Sequence, residues 1–176
     1  MQDLDAQLVD PPAKPAQAVI ALGSNLGQSR RILHDAVEGF RQADNVWVTA
    51  VSPLAKTAPV GGPEQPDFLN QVLIIQTRLS AHALLEFGQA LEQAAQRVRT
   101  VRWGPRTLDV DLIAYEGVTS NHPVLTLPHP RAHQRAFVLI PWSWADPDAT
   151  LAGQSVAKLA AQADDADTVQ RVQESP

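Results

Sequence analysis

Residues 101–117 read VRWGPRTLDVDLIAYEG, and the fold turns on how this stretch is interpreted. TLDVDLIAYEG (107–117) has the composition of a β-strand, yet Asp109 and Asp111 interrupt it. Strand side chains alternate between faces. Leu108, Val110, Leu112 and Ala114 are therefore expected to enter the core, while Asp109 and Asp111 project together from the other face, about 7 Å apart. Such a strand needs a sheet with one wet face, which points to antiparallel pairing with its cover on one side.

The flanking segments supply the other elements. AVIALGS (18–24) is a short apolar run ending at the turn-forming GSNLG, and it reads as a buried strand. Ile32, Leu33, Ala36, Val37 and Phe40 recur at helical spacing, which predicts a helix over 28–43. VWVTAVSPLAKT (46–57) reads as a second strand, with Pro53 implying an edge position or a bulge. APVGGPEQPD (58–67) is a loop by its prolines and glycines. FLNQVLIIQTRLS (68–80) returns to strand composition, and Ser80 is a cap for the next helix. In that helix Leu84, Phe87, Leu91, Ala94 and Val98 share one face, and Gln89, Glu92 and Gln96 lie nearly opposite. After the strand TLDVDLIAYEG (107–117), a helical turn is expected near 130–135, a strand near 136–140 and a terminal helix over 155–162.

The order strand, helix, strand, strand, helix, strand is the split βαβ pattern of ferredoxin-like α+β folds, an antiparallel sheet with helices packed on it, here with C-terminal additions. A chain of 176 residues suits one domain. Pro11, Pro12 and Pro15 mark residues 1–17 as a flexible leader, which leaves 18–163 as the domain and 164–176 as an acidic tail.

Composition narrows the chemistry. Without cysteine the chain has neither disulfides nor thiolate metal ligands, so a bound metal must use oxygen or histidine donors. That favours a hard cation such as magnesium. No apolar run reaches the length of a membrane span, and a cytoplasmic location is the simplest expectation. The net charge of −5 argues against a general nucleic-acid binder, yet Arg97, Arg99, Arg102 and Arg106 crowd one short segment.

The aspartate pair has two readings. Water screens such carboxylates on an ordinary polar sheet face. With four arginines leading in, however, the pair also suits a metal–phosphate ligand, two magnesium ions about 4 Å apart being bridged by the carboxylates. The arginines would then hold phosphate oxygens bidentately. Four arginines beside Trp103 are equally the content of a surface that stacks and tracks a nucleic-acid strand. Trp103 is either a loop anchor or a lid over a planar ligand. His129, between two prolines and near Arg131 and Arg135, is either a phosphate donor or a structural hydrogen-bonding group. Phe68 and Phe137 read as core residues by type. GxxxxGK[ST], GxGxxG and HExxH are all missing, as is a Ser-His-Asp spacing.

ALGSNLG, TAPVGGPEQPDFLNQV, RWGPRTLDVDLIAY and LPHPRAHQRAFVLIP, in this order and over roughly residues 18–160, resemble the 6-hydroxymethyl-7,8-dihydropterin pyrophosphokinases of folate biosynthesis. The resemblance implies a ferredoxin-like fold and an enzyme using ATP and magnesium, two ions held by Asp109 and Asp111. It would transfer the terminal diphosphate to the pterin hydroxymethyl group and release AMP. Gln89, Glu92, Arg97, Arg99, Arg102, Arg106, Ile113, His129 and Arg135 would then line the nucleotide site, with Arg97, Arg106 and Trp103 joining the aspartates in catalysis. Thr57, Ala58, Val60, Phe68, Asn70, Trp103 and Phe137 would form the pterin pocket, the two phenylalanines sandwiching the ring and Asn70 reading its edge. Arg102 and Trp103 would belong to a closing loop. Phe68 stands where the family frequently has tyrosine, and Ala58 where it frequently has proline. A monomer acting on small molecules, with neither nucleic acid nor membrane as partner, is the expected state. A metal-dependent nucleotidyltransferase and a non-catalytic nucleotide- or RNA-binding domain are the competing readings.

Overall fold

A computed structural model describes residues 4–25, 28–58, 67–96 and 108–172. The elements in chain order are α1 (Ala6–Val9), β1 (Ala16–Ser24), α2 (Ser29–Gln42), β2 (Val46–Val51), β3 (Ala55–Thr57), β4 (Phe68–Thr77), α3 (Ala81–Gln96) and β5 (Asp109–Tyr115). They continue with β6 (Ser120–His122), β7 (Leu125–Leu127), a 3-10 turn (Ala132–Gln134), α4 (Ala136–Ala145), β8 (Thr150–Leu151), β9 (Gln154–Ser155), α5 (Val156–Gln162), a second 3-10 turn (Ala166–Thr168) and β10 (Val169–Arg171). The main sheet runs β10-β3-β4-β1-β5, with β2 also on β4, and every pairing in it is antiparallel. This is the expected ferredoxin-like α+β arrangement.

One face of the sheet carries α2 and α3. Leu33, Ala36, Val37 and Phe40 of α2, and Ala81 and Leu84 of α3, pack against Ala18, Ile20 and Leu22 of β1 and Leu73 and Ile75 of β4. Phe40 is fully buried and meets Phe87 edge-on, with ring centroids 5.1 Å apart. Ser80 caps α3 as its sequence position suggests, its Oγ accepting from Ala83 N at 3.1 Å. Position 88 must be glycine because α3 crosses β5 so closely: a Cβ there would lie 2.8 Å from Val110 Cγ1. Ala94, assigned to the core side of α3, is exposed.

The opposite face is not wet, contrary to expectation. Helices α4 and α5 cover most of it, burying Val138, Leu139, Trp142, Val156 and Ala160 against Val19, Val72, Ile74 and Ile113. Residues 136–140, read as a strand from their apolar run, form the start of α4; an apolar run this short cannot by itself distinguish a strand from a helix buried on most sides.

Irregularities break the simple alternation. Val19 pairs with Ala114 while Ile20 pairs with Leu112, so Ile113 is an extra residue in β5. Beyond this bulge the faces exchange, and Ala114 joins the α4 side instead of the side of Val110 and Leu112. The strand expected over 46–57 is split at Ser52–Leu54. Proline at 53 offers no N–H to a ladder, while Ser52 bonds Val72 through its backbone N–H and its Oγ, both at 2.9 Å.

Both termini depart from the boundaries drawn on composition. Within the supposed leader, α1 inserts Leu8, wholly buried, into the core, and β1 starts at Ala16. Within the supposed tail, β10 pairs with β3. A few apolar side chains with a docking surface are enough to order a polar segment.

Candidate functional site

Beside the start of α4, the second face of the sheet opens into a cavity of about 400 Å³. Its floor follows from strand register. Asp109 pairs with Gly23, and Gly23 with Asn70 of β4, so the three positions form a row across β5, β1 and β4. Adjacent strands are about 4.8 Å apart, and a glycine in the middle leaves room between the carboxylate and the amide. The fit at that glycine is close, since a Cβ on residue 23 would lie 3.0 Å from Asn70 Oδ1. One row further along β5, Asp111 pairs with Ala21, whose small side chain keeps the floor low.

The walls come from three other elements. Thr57 and Ala58 arrive on and just after β3, and Phe68 is the first residue of β4, paired with Thr57. Arg135, Phe137 and Val138 come from the start of α4. The Arg135 guanidinium lies over the Phe137 ring, 5.6 Å from its centroid. Asn70 is nearly buried, and its Nδ2 donates to Thr57 Oγ1 at 3.4 Å, which sets the amide's orientation. The cavity thus gathers Thr57, Ala58, Phe68, Asn70, Asp109, Asp111, Arg135 and Phe137 of the expected site. Two aromatic rings, an amide edge and a pair of carboxylates suit a flat polar heterocycle carrying a group that interacts with metal.

The remaining expected residues among those described lie elsewhere. Among the described residues β5 pairs with β1 alone in the sheet. Glu92 Oε2 accepts from Val110 N at 3.0 Å, and His129 N donates to Ile113 O at 2.8 Å. The Ile113 side chain is 1% exposed in the α4 core, on the face that alternation shares with Asp109 and Asp111. Gln89 is exposed on α3. His129 Nδ1 accepts from Arg131 N at 3.2 Å. Burial holds the His129 pKa below its ordinary value; Asp111 opposes that shift, and Arg135 and Arg131 reinforce it. A neutral imidazole is therefore the resting form at neutral pH. Val60, Arg97, Arg99, Arg102, Trp103 and Arg106 lie outside the described residues.

Sequence reasoning missed Ala21, Leu22, Gly23, Val138, Asp165 and Thr168, all of which line the cavity. Gly23 was within reach, as the glycine closing a strand that faces a ligand. Asp165 and Thr168 carried no local signal, because the chain's return to α4 is a tertiary event.

The residues present fit magnesium. Asp109 and Asp111 occupy alternate positions of one strand face, are half-buried, line one cavity and offer only oxygen. Among the described residues no group of three or more His, Cys, Asp or Glu side chains forms a metal cluster, which suits an ion completed by water and phosphate oxygens.

Comparison with known proteins agrees with this geometry. The family profile described as 7,8-dihydro-6-hydroxymethylpterin-pyrophosphokinase (HPPK) matches residues 19–147. A 2-amino-4-hydroxy-6-hydroxymethyldihydropteridine pyrophosphokinase of Methylorubrum extorquens is 40% identical over 148 residues, covering 84% of this chain and 94% of its own. The protein of that name from Mycobacterium tuberculosis is 44% identical over 165 residues, 86% of each chain. Among solved structures, wild-type HPPK-DHPS of Plasmodium falciparum with pterin and p-hydroxybenzoate superimposes with a TM-score of 0.67 at 11% identity, over 90% of this chain and 45% of the other. The chain therefore spans less than half the length of that structural relative, and the likeness concerns the fold. Taken with the profile and the close relatives, the chain belongs to the 7,8-dihydro-6-hydroxymethylpterin pyrophosphokinase family.

Proposed function

We propose that this enzyme transfers the β,γ-diphosphate of ATP to the hydroxymethyl group of 6-hydroxymethyl-7,8-dihydropterin, releasing AMP, as a step of folate biosynthesis. The observation that carries this reading is the shared cavity: Asp109 and Asp111 open into the same space as Phe68, Asn70 and Phe137. The hydroxymethyl oxygen forms a bond to the β-phosphorus. The bond from that phosphorus to the oxygen retained by AMP breaks, and the hydroxyl proton is lost.

The residues divide the work. Phe68 and Phe137 hold the pterin ring between them, and Asn70, fixed by Thr57, reads its hydrogen-bonding edge, so the hydroxymethyl arm faces the carboxylates. Asp109 and Asp111 would hold magnesium, two ions in our reading, whose chemistry there is to neutralise phosphate charge. Arg135 and neutral His129 stand on the phosphate side of Asp111, where they donate to anionic oxygens. Glu92 acts through β5, holding the Val110 N–H between the two aspartates. Arg97, Arg99, Arg102, Arg106, Trp103, Val60 and Gln89 keep the roles that the family resemblance implies. In this reading the protein works as a cytoplasmic monomer on small molecules, without nucleic acid. Among the described residues no helix is long and apolar enough to cross a membrane.

The deciding experiment incubates the chain with ATP, magnesium and the pterin alcohol and separates the nucleotides. Pterin-dependent AMP supports the proposal. ADP would mean transfer of a single phosphoryl group, and free pyrophosphate would mean nucleotidyl transfer. Turnover of neither substrate, with salt-sensitive binding of oligonucleotides, would mean a binding domain.

A further inference from the structure

The acidic C-terminal segment lies beyond the residues matched by the family profile, yet the fold brings it back to the cavity. Helix α4 begins at Ala136 without a cap of its own, for Arg135 at its N-cap position makes no side-chain bond there. The Ala136 N–H donates instead to both carboxylate oxygens of Asp165, at 3.1 and 3.3 Å, across 29 residues of chain. Asp165 is itself anchored. The Thr168 hydroxyl donates to the Asp165 carbonyl at 2.6 Å and the Thr168 N–H to the same oxygen at 3.0 Å. The next residue, Val169, then pairs with Thr57 at the cavity wall.

The captured N–H lies between two residues of the site. Arg135 precedes it and Phe137 follows it, and the guanidinium of one rests on the ring of the other. Arg135, Phe137, Asp165 and Thr168 all line the cavity. A carboxylate at the first turn satisfies an otherwise unpaired donor and complements the positive end of the helix. It also fixes the peptide from which the Phe137 side chain departs.

We propose that Asp165 is a positioning residue: brought in by the C-terminal segment, its carboxylate holds the first turn of α4 so that Phe137 presents its ring to the substrate pocket. The inference rests on Phe137 belonging to the pterin pocket, and it deepens that reading by making the pocket depend on a segment outside the family profile. Asp165 acts through Ala136 and Phe137 and contacts no reacting atom.

The test compares Asp165→Ala and Asp165→Asn in the full chain by steady-state kinetics and thermal melting. Asp165→Ala is expected to raise the KM for the pterin about three- to tenfold, the loss of one helix cap, with kcat changed by less than about twofold. Asp165→Asn keeps an acceptor oxygen and is expected to restore most of that loss. A lower melting temperature for Asp165→Ala with an unaltered pterin KM would overturn the proposal, leaving a purely structural cap. An Asn variant as impaired as the Ala variant would also overturn it, since charge and not the anchoring bond would then matter. Should Asp165→Ala not fold, Thr168→Val frees the turn while leaving the carboxylate; a smaller rise in pterin KM supports the proposal and an unchanged KM overturns it. Failure of the proposed function itself shows in the wild-type chain, before any variant is compared.

Discussion

Replacing Gly23 by Ala tests the floor of the cavity by a single methyl group. The added Cβ would sit 3.0 Å from Asn70 Oδ1, so the amide must yield by a few tenths of an ångström. It has little freedom to do so without cost: Asn70 is 8% exposed, and its Nδ2 is tied to Thr57 Oγ1. The displacement falls on the hydrogen-bonding edge proposed to read the pterin. Losing the alignment of one such bond costs about 0.5–1.5 kcal/mol, which corresponds to about a two- to twelvefold weaker pterin affinity. Fold stability should move little, because Ala restricts the unfolded chain more than Gly by about 0.4–1 kcal/mol and so offsets the steric cost. The assay is calorimetric titration of the Gly23→Ala protein with the pterin alcohol and, separately, with a non-hydrolysable ATP analogue, alongside a thermal melt. Weakened pterin binding with intact nucleotide binding and an unchanged melt is the expected result. Pterin affinity equal to wild type would refute the reasoning, as would an equal loss for both ligands.

Other perturbations probe the remaining parts. Asp109→Ala and Asp111→Ala should each lower AMP formation by about 10²-fold or more; near-normal turnover with magnesium would undo the metal assignment. Phe40→Ala, deleting a wholly buried ring that contacts Phe87, should cost about 3–5 kcal/mol in denaturant unfolding. Burial, with a smaller contribution from Glu116, raises the pKa of Tyr115, whose hydroxyl donates to Leu79 O at 2.7 Å. The folded chain therefore keeps a proton that the unfolded chain releases above about pH 10, so this stabilisation is present below that pH and is lost as pH rises through the raised value. Alkaline melts of Tyr115→Phe should show a shallower decline than wild type, and parallel declines would contradict the assignment.

Much of this protein could be read from residue order alone. A period of 3.6 located α2 and α3, whose buried faces the sequence records; apolar strand composition located β1 and β4, and the same composition with alternating faces located β5. Alternation also placed Asp109 and Asp111 on the same face of β5, a local property needing no knowledge of neighbours. Phe68, Asn70 and Phe137, which line the cavity and are proposed to hold the pterin, were singled out through family resemblance; by residue type the two phenylalanines read simply as core.

What tertiary structure decided is whatever depends on partners distant in sequence. Alternation cannot reveal the bulge that sends Ala114 to the α4 side along with Ile113, since a bulge exists only relative to the paired strand. Nor can it reveal that α4 covers the face expected to be wet, because the apolar run that buries it fits a helix and a strand equally. Leu8 and Asp165 lie in segments whose composition suggests no fold, and each is ordered by a surface made elsewhere: a core gap for one, an uncapped helix end for the other. Local sequence dictates which face a side chain takes, but the free energy that docks a segment belongs to the surface it meets.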